Sequence, residues 1–359
     1  MLQPILIAAK CMLVSELGHQ ISTLFMSNDI HVAIVGANGA VGTELIQLLE
    51  QRQFPVRELK LLASTKSAGK VLKFKGEEIP VAALSEDSFR GIDIALFSAG
   101  GSTSKEYAKH AVSAGTVVID NSSAFRMEAD VPLVVPEINP ADIQSHRGII
   151  ANPNCTTIIA LMALYPLHQA FGARRVIASS YQAVSGAGAK AIRELSLQSQ
   201  SYFSGASTSA EVFPHQIAFN VIPQVDAFLA DGYTKEEMKF LNESRKIMHQ
   251  PTLRASITCV RVPVFRAHSV AIHAEFDQPV SIDRARDALA KFPGLELEDD
   301  PAAKKYPMPI LASGKNNCQV GRVRLDSALE NGLAFWVCGD QLLKGAALNA
   351  VQIAEQLAK

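Results

Sequence analysis

No stretch of the 359 residues is apolar for long enough to cross a bilayer. The longest unbroken apolar run, Ile158 to Tyr165, has eight residues, against about 20 for a membrane-spanning helix. A basic excess is missing too. Lys plus Arg number 34 and Asp plus Glu 35, a net charge of −1, which argues against a protein that holds a nucleic-acid backbone along its surface. Cysteine is scarce and unpaired. Cys11, Cys155, Cys259, Cys318 and Cys338 are odd in number, widely spaced and free of any CxxC pair. Neither a disulfide framework nor a zinc knuckle is indicated, and no metal is expected. Internal repeats and low-complexity segments are also lacking. What is present is apolar material, 48% of the chain, enough for two cores in a chain of this length. The composition is that of a soluble cytoplasmic enzyme.

Residues 1–25 mix short apolar patches with Lys10, Glu16 and His19. Lys10 interrupts the apolar stretch a secretory signal needs, and no cleavage site follows. Met26 opens Met26-Ser27-Asn28-Asp29 directly before a strong strand. Residues 1–25 are therefore expected to be a non-native or misassigned extension, the competing reading being an additional helix.

Ile30 to Val35 has the unbroken apolar character of a buried parallel strand. Gly36-Ala37-Asn38-Gly39-Ala40-Val41-Gly42 follows, and Val41, Leu45, Leu48 and Leu49 then recur at helical spacing. Strand, glycine turn and helix together suit a dinucleotide pyrophosphate. Gly36 permits a tight turn, Gly39 a close approach of backbone N–H groups, and Gly42 close packing of helix on strand. The next strand, Leu59 to Ala63, ends without the acid that selects a free ribose 2′-hydroxyl. It runs instead into Ser64, Thr65, Lys66 and Ser67, whose hydroxyls and charge suit a 2′-phosphate. The cofactor expected is NADP(H). Ile92–Phe97, Lys105–Ala114 and Thr116–Asp120 continue as strand, helix and strand, which argues for a doubly wound parallel sheet. Loops at its strand ends, with Ala99 and Gly100 in one and Asn121 to Arg126 in the other, are candidate site segments.

Asn152-Pro153-Asn154-Cys155-Thr156-Thr157 precedes a predicted helix over Ile158–Tyr165. Cys155 thus lies at a helix N-terminus, where the dipole and free N–H groups favour a thiolate, and it is the candidate nucleophile. The other cysteines have apolar or strand-like surroundings. Of the nine histidines, His268 is placed in a turn between predicted strands Thr258–Val264 and Val270–Phe276, a common position for a proton-transfer partner.

With these motifs in view, the chain resembles the bacterial aspartate-β-semialdehyde dehydrogenases from about Asp29 onward. The resemblance rests on Gly36–Gly42, Ser64–Gly69, Asp120–Arg126, Pro136–Asn139, Asn152–Thr157, Gln182–Gly188, Asn220–Pro223, Arg261–Ser269 and Lys344–Ala347. It implies reduction of L-aspartyl-4-phosphate to L-aspartate 4-semialdehyde with NADPH and release of phosphate, an early step toward lysine, threonine and methionine. It assigns Cys155 as nucleophile, His268 as general acid/base and Gln182 as the glutamine that positions substrate and thioester oxygen. Arg261 is matched to the substrate carboxylate, Glu236 to its ammonium with Glu237 as the alternative, and Arg126, Asn154 and Lys239 to its phosphate. Ser185 and Gly186 fall in a small-residue turn beside the nicotinamide, and Gln341 is a further cofactor contact. Lys66 stands where Arg is common, Ala267 where Gly is frequent and Gln341 where many relatives have Asn.

The implied fold class is α/β: a Rossmann-type domain of residues 26–154 and 341–359, with an inserted α+β catalytic and dimerisation domain of residues 155–340. Its strands are Arg175–Gln182, Ser256–Val264, Val270–Phe276 and Leu333–Cys338, largely antiparallel, and one sheet face forms the interface of a homodimer that could pair into a tetramer. Leu342–Leu357 is predicted as one amphipathic helix, with Ala346, Ala347, Ala350, Val351 and Ala354 on one stripe, and Pro293–Pro309 as an exposed loop. Competing functions are an N-acetyl-γ-glutamyl-phosphate reductase, more remotely a glyceraldehyde-phosphate dehydrogenase, and a non-catalytic NADP-binding relative. The pair Cys155 and His268 disfavours the last.

Overall fold

A computed structural model describes residues 29–359, so the expectation for residues 1–25 lies outside the described residues. β1 (Ile30–Val35) is buried almost throughout because both faces of its sheet are covered. Val32 and Ile34 point into a core with α1 (Ala40–Gln51), and Ala33 and Val35 into one with α2 (Gly101–Ser113). β2 (Val56–Ala63), β3 (Val71–Phe74), β4 (Glu77–Ala83), β5 (Ile94–Phe97), β6 (Val117–Asp120) and β7 (Ile149–Ala151) complete a seven-stranded sheet in the order β3-β4-β2-β1-β5-β6-β7. Its pairs are parallel except β3/β4, the hairpin at one edge. The strand order reverses between β1 and β5, so the crevice at their carboxyl ends is where a ligand of such a sheet lies.

α3 (Cys155–Phe171) leads out of this sheet and is apolar nearly all round. It is enclosed between a second sheet and α6 (Ile282–Lys291), and its side chains form the middle of the largest core. The second sheet contains β8 (Ala173–Gln182), β9 (Arg254–Arg261), β10 (His268–Phe276), β11 (Leu295–Leu297), β12 (Cys318–Leu325) and β13 (Gly332–Gly339), ordered β11-β12-β13-β10-β8-β9. Its central pairs are antiparallel, and the outermost pair at each edge is parallel. α5 (Lys235–Ile247) and the short α7 (Pro309–Ala312) pack against it, while α4 (Ala189–Ser204) packs through Ala191 and Leu195 on Val184, Ile217 and Ile222. Among the described residues no helix is long and apolar enough to cross a membrane.

Leu343–Ala347 forms a π turn, with Gly345 N–H donating to Asp340 O and Ala347 N–H to Leu342 O, before α8 (Leu348–Leu357). The single helix expected over Leu342–Leu357 is thus broken into two forms. Its first half is buried on every side rather than amphipathic, because α3 and α1 enclose it. α8 returns to the first sheet, where Leu348, Val351 and Ile353 join the core around β1 and α1.

The exposed loop expected over Pro293–Pro309 holds β11, whose Leu295 is buried and whose parallel pairing to β12 is set by the fold rather than by a local apolar run. Asp299 in the same stretch is buried against Arg286. β9 ends at Arg261 rather than Val264, since Pro263 has no N–H to extend a ladder. His268 is not in the turn but is the first residue of β10, paired with Gly339.

Candidate functional site

Cys155 is the first residue of α3. Asn154 caps the helix, its Oδ1 accepting from the N–H groups of Thr156 and Thr157 at 2.9 and 3.2 Å. Among the described cysteines Cys155 alone is partly exposed; Cys259, Cys318 and Cys338 are buried. It opens on a cleft of about 340 Å³ with Gly39, Gly100, Arg126, Gly186 and Gly345 in its walls. The expected depression of the thiol is not found. Burial and the Glu236 charge push it up to about 11, against the pull of Arg126, Arg261 and a Thr156 hydrogen bond. Desolvation of the sulfur outweighs the helix dipole here.

Sheet register brings the next residues together. Gln182 ends β8 and is paired with Arg261 at the end of β9, while antiparallel β10 begins beside them with His268. His268 is fully buried. Its Nδ1 accepts the Ala183 N–H at 3.0 Å, which leaves the proton of the neutral ring on Nε2, an atom with no partner among the described residues. Burial and the adjacent Arg261 charge hold the imidazole well below its ordinary value, so it is neutral. Arg261 is 7% exposed. It donates through Nη1 to Ala183 O at 2.7 Å, lies over the Phe213 ring, and has no carboxylate within ion-pair distance among the described residues. Gly186 separates both groups from the cleft: a methyl there would be 3.0 Å from Arg261 Nη1 and 3.2 Å from His268 Nε2.

Glu236 is buried, with Oε1 accepting from Asn154 Nδ2 and Gln182 Nε2 and Oε2 from Lys239 Nζ, at 2.9–3.0 Å. Burial raises its carboxyl, but the Lys239 charge and these bonds more than offset that and hold it below the ordinary range. Glu237 turns away, closing a capping box with Thr234 and accepting the Cys259 N–H. Lys239 also donates to Asp226 at 2.9 Å. Gln182 Nε2 donates to Thr156 Oγ1 as well, which leaves its Oε1 buried and unpartnered.

Arg126 is fixed by three acceptors. Nε donates to Asn152 O, Nη2 to Asn121 O, and Nη1 to the buried Glu243 carboxylate at 3.0 Å. Glu243 Oε2 also accepts the Asn154 N–H at 2.6 Å.

Across the cleft, the glycine turn has the form a pyrophosphate needs. Gly36 has φ +88°, and a Cβ on it would be 2.4 Å from Ser98 O; one on Gly42 would be 2.2 Å from Gly36 O. α1 and α2 start at Gly39 and Gly100 with no side-chain cap and no acid in the first turn, leaving backbone N–H groups and both dipoles facing the crevice. Ala40 and Val41 line it; Asn38 does not, its Nδ2 donating to Ser67 Oγ at 3.0 Å. Ser64, Thr65, Lys66, Ser67 and Ala99 lie outside the cleft wall, the first four at the exposed end of β2. Gln341 lines the cleft, but its amide is engaged by the Ala267 N–H at 2.8 Å and by Ser185 Oγ. Ala267 has φ +72°, a left-handed conformation that favours glycine and strains an alanine by about 1–2 kcal/mol.

Residues 31–146 match the family model for the NAD binding domain of semialdehyde dehydrogenases, and residues 164–344 that for their dimerisation domain. The aspartate-semialdehyde dehydrogenase of Aquifex aeolicus is 55% identical over 332 residues, covering 91% of this chain and 98% of that protein. The Bacillus subtilis protein of the same name is 50% identical, covering 93% and 99%. The chain belongs to the aspartate-semialdehyde dehydrogenase family. A crystal structure of aspartate semialdehyde dehydrogenase II from Vibrio cholerae, complexed with ASA, superimposes with a TM-score of 0.90 at 46% identity, covering 92% of this chain and 98% of that one.

In this family member, sequence reasoning missed Glu243 and Lys344. Glu243 follows Glu236 and Lys239 on one face of α5 (i, i+3, i+7), a spacing that could have singled it out. Lys344 opens the Lys344–Ala347 motif, but nothing local marks it as buried. Its Nζ donates to Glu137, to Asn349 Oδ1 at 2.9 Å and to Gln352 Oε1 at 2.7 Å. Asn349 in turn donates to Asn152 Oδ1 at 2.7 Å, directly behind the Cys155 segment. On the cofactor side, Lys66→Ala is expected to raise the KM for NADP about tenfold, the loss of one charge-assisted contact, and to leave that for NAD unchanged. Initial rates with both cofactors check this, and equal effects on the two would remove Lys66 from 2′-phosphate recognition.

Proposed function

We propose that the protein is a cytoplasmic, homodimeric, NADP-dependent aspartate-semialdehyde dehydrogenase that converts L-aspartyl-4-phosphate to L-aspartate 4-semialdehyde through a thioester on Cys155. The observation that carries this reading is the buried Arg261 beside the Nε2–H of His268, the one without a carboxylate at ion-pair distance and the other without a partner among the described residues, both behind Gly186 at the Cys155 cleft. A guanidinium so placed is complementary to a substrate carboxylate. Glu236, charged and edged by amides, suits an ammonium, and Arg126 with Asn154 and Lys239 suits the phosphate.

Cys155 sulfur attacks the acyl carbon and the C–O bond to phosphate breaks; the thiol proton leaves with the phosphate. His268 Nε2–H and the N–H groups at the start of α3 hold the carbonyl oxygen as charge builds on it. Gly36–Gly42, Gly100, Ser185 and Gly186 would hold the cofactor, with Ser64–Ser67 at its 2′-phosphate; when bound, NADPH supplies the hydride that reduces the thioester. Cys155 then leaves as thiolate as the aldehyde departs, and a proton from solvent, relayed at His268 Nε2, restores the thiol. Substrate carboxylate on Arg261 cancels a charge that depresses His268, so the imidazole takes up a proton more readily once substrate is in place.

The division into residues 26–154 with 341–359 and residues 155–340 is part of this reading. So is dimerisation through the exposed face of the second sheet, where Ile177 and Tyr181 are uncovered and Tyr181 lies 5.2 Å from Trp336. Pairing of two such dimers into a tetramer would appear as a species of twice the dimer mass in light scattering. The deciding assay supplies aspartate semialdehyde, NADP and phosphate or arsenate and follows NADPH. Activity only with N-acetylglutamate semialdehyde would transfer the enzyme to the acetylated branch, a substrate with no ammonium for Glu236.

A further inference from the structure

Glu243 has no part in the chemistry above, yet it joins two of its elements. The carboxylate is 1% exposed. One oxygen accepts from Arg126 Nη1 at 3.0 Å and the other from the Asn154 backbone N–H at 2.6 Å. Burial raises its carboxyl above the ordinary carboxylate range, against the pull of the Arg126 charge and the Asn154 N–H. Both oxygens nonetheless face N–H donors and, among the described residues, neither faces an acceptor, which is the geometry of a carboxylate paired with Arg126. Arg126 also gives Nε to Asn152 O and Nη2 to Asn121 O, which leaves two of its five N–H donors for a ligand. An anion bound there meets a guanidinium already paired with a buried carboxylate.

We propose that Glu243 is a positioning residue that fixes Arg126 and Asn154 relative to one another and weakens the hold of Arg126 on phosphate. One side chain then sets the distance between the leaving group and the nucleophile that follows Asn154. Its negative charge opposes that of the phosphate, so inorganic phosphate departs readily after the thioester forms. The inference rests on the assignment of Arg126 to phosphate.

The test runs the enzyme in the oxidative direction with NADP and saturating aspartate semialdehyde while inorganic phosphate is varied. Glu243→Gln is expected to lower the phosphate KM about tenfold and to lower kcat, because removal of a like charge tightens the anion while Asn154 loses its anchor. The KM for the semialdehyde should stay within about twofold. Glu243→Asp keeps the charge and should keep a wild-type phosphate KM even where kcat falls. If Glu243→Gln does not fold, Glu243→Ser, which leaves room for water at both donors, should shift the phosphate KM the same way. A phosphate KM that is unchanged or raised in the uncharged variants gives Glu243 a purely structural role and overturns the proposal. Arg126→Lys separates the two levels. A raised phosphate KM there with no response at Glu243 overturns this inference alone; an unmoved one overturns the Arg126 assignment and the inference with it.

Discussion

Cys155→Ser is expected to reduce turnover of aspartate semialdehyde by roughly 10⁴–10⁶-fold, the loss seen when a covalent nucleophile is removed. Serine fits the site. The Cys155 Cβ lies against Gly345, where a further methyl would be 2.9 Å away, and the smaller oxygen adds no crowding. The defect is chemical. The thiol is already pushed up to about 11 by burial, and a hydroxyl in the same surroundings is far harder to ionise; an oxygen ester is also a poorer hydride acceptor than a thioester. NADP binding should survive, because the uncapped starts of α1 and α2 and the Gly36–Gly42 turn belong to the opposite wall of the cleft. Fluorescence titration with NADPH and the thermal midpoint should match wild type. Turnover within tenfold of wild type would sink the role of Cys155.

His268→Asn is expected to cost about 10²–10⁴-fold in kcat, the usual worth of a positioned proton donor. It should also change how stability responds to acid, and the sign follows from burial. Above the ordinary imidazole value of 6.5, folded and unfolded chains both carry a neutral ring, and His268 makes stability no more pH-dependent. Below it the unfolded chain binds a proton that the folded site refuses, since burial and Arg261 hold the folded value well down. Stability is therefore lost as pH falls from about 6.5 toward the folded value, with a limiting slope of about 1.4 kcal/mol per pH unit. His268→Asn lacks that slope. Denaturant unfolding from pH 7 downward should show the wild type losing its margin faster than the variant, and parallel curves would show that the ring titrates normally in the folded protein.

Much of this site was legible because the informative signals were local. A strand, three glycines and a helix in Ile30–Leu49 carry their own geometry, and so does an asparagine cap before Cys155. The illegible parts depend on distant neighbours. His268 looks exposed between two strands, yet β13 and β8 flank it and bury it. The thiol beside a helix dipole looks acidic until its burial and the charge of Glu236, from a distant helix, are counted. Lys344 reads as a surface lysine on an alanine-rich helix, and becomes a buried cation only because Glu137, some two hundred residues earlier, lies opposite it. Glu243 would be one more charge on a solvated helix without Arg126, from a loop of the other sheet, to pair with.

The return of α8 to the first sheet has a bearing on how the chain is made. Leu348, Val351 and Ile353, with their neighbours from Leu343 to Ala354, belong to a core whose remaining members, from Ile30 to Ile150, are translated long before them. On the ribosome those early strands must wait through the synthesis of the entire second sheet with one flank uncovered. Domains usually mature in the order they emerge; here the second to be translated can close first, and the dinucleotide site is among the last surfaces of the molecule to become complete.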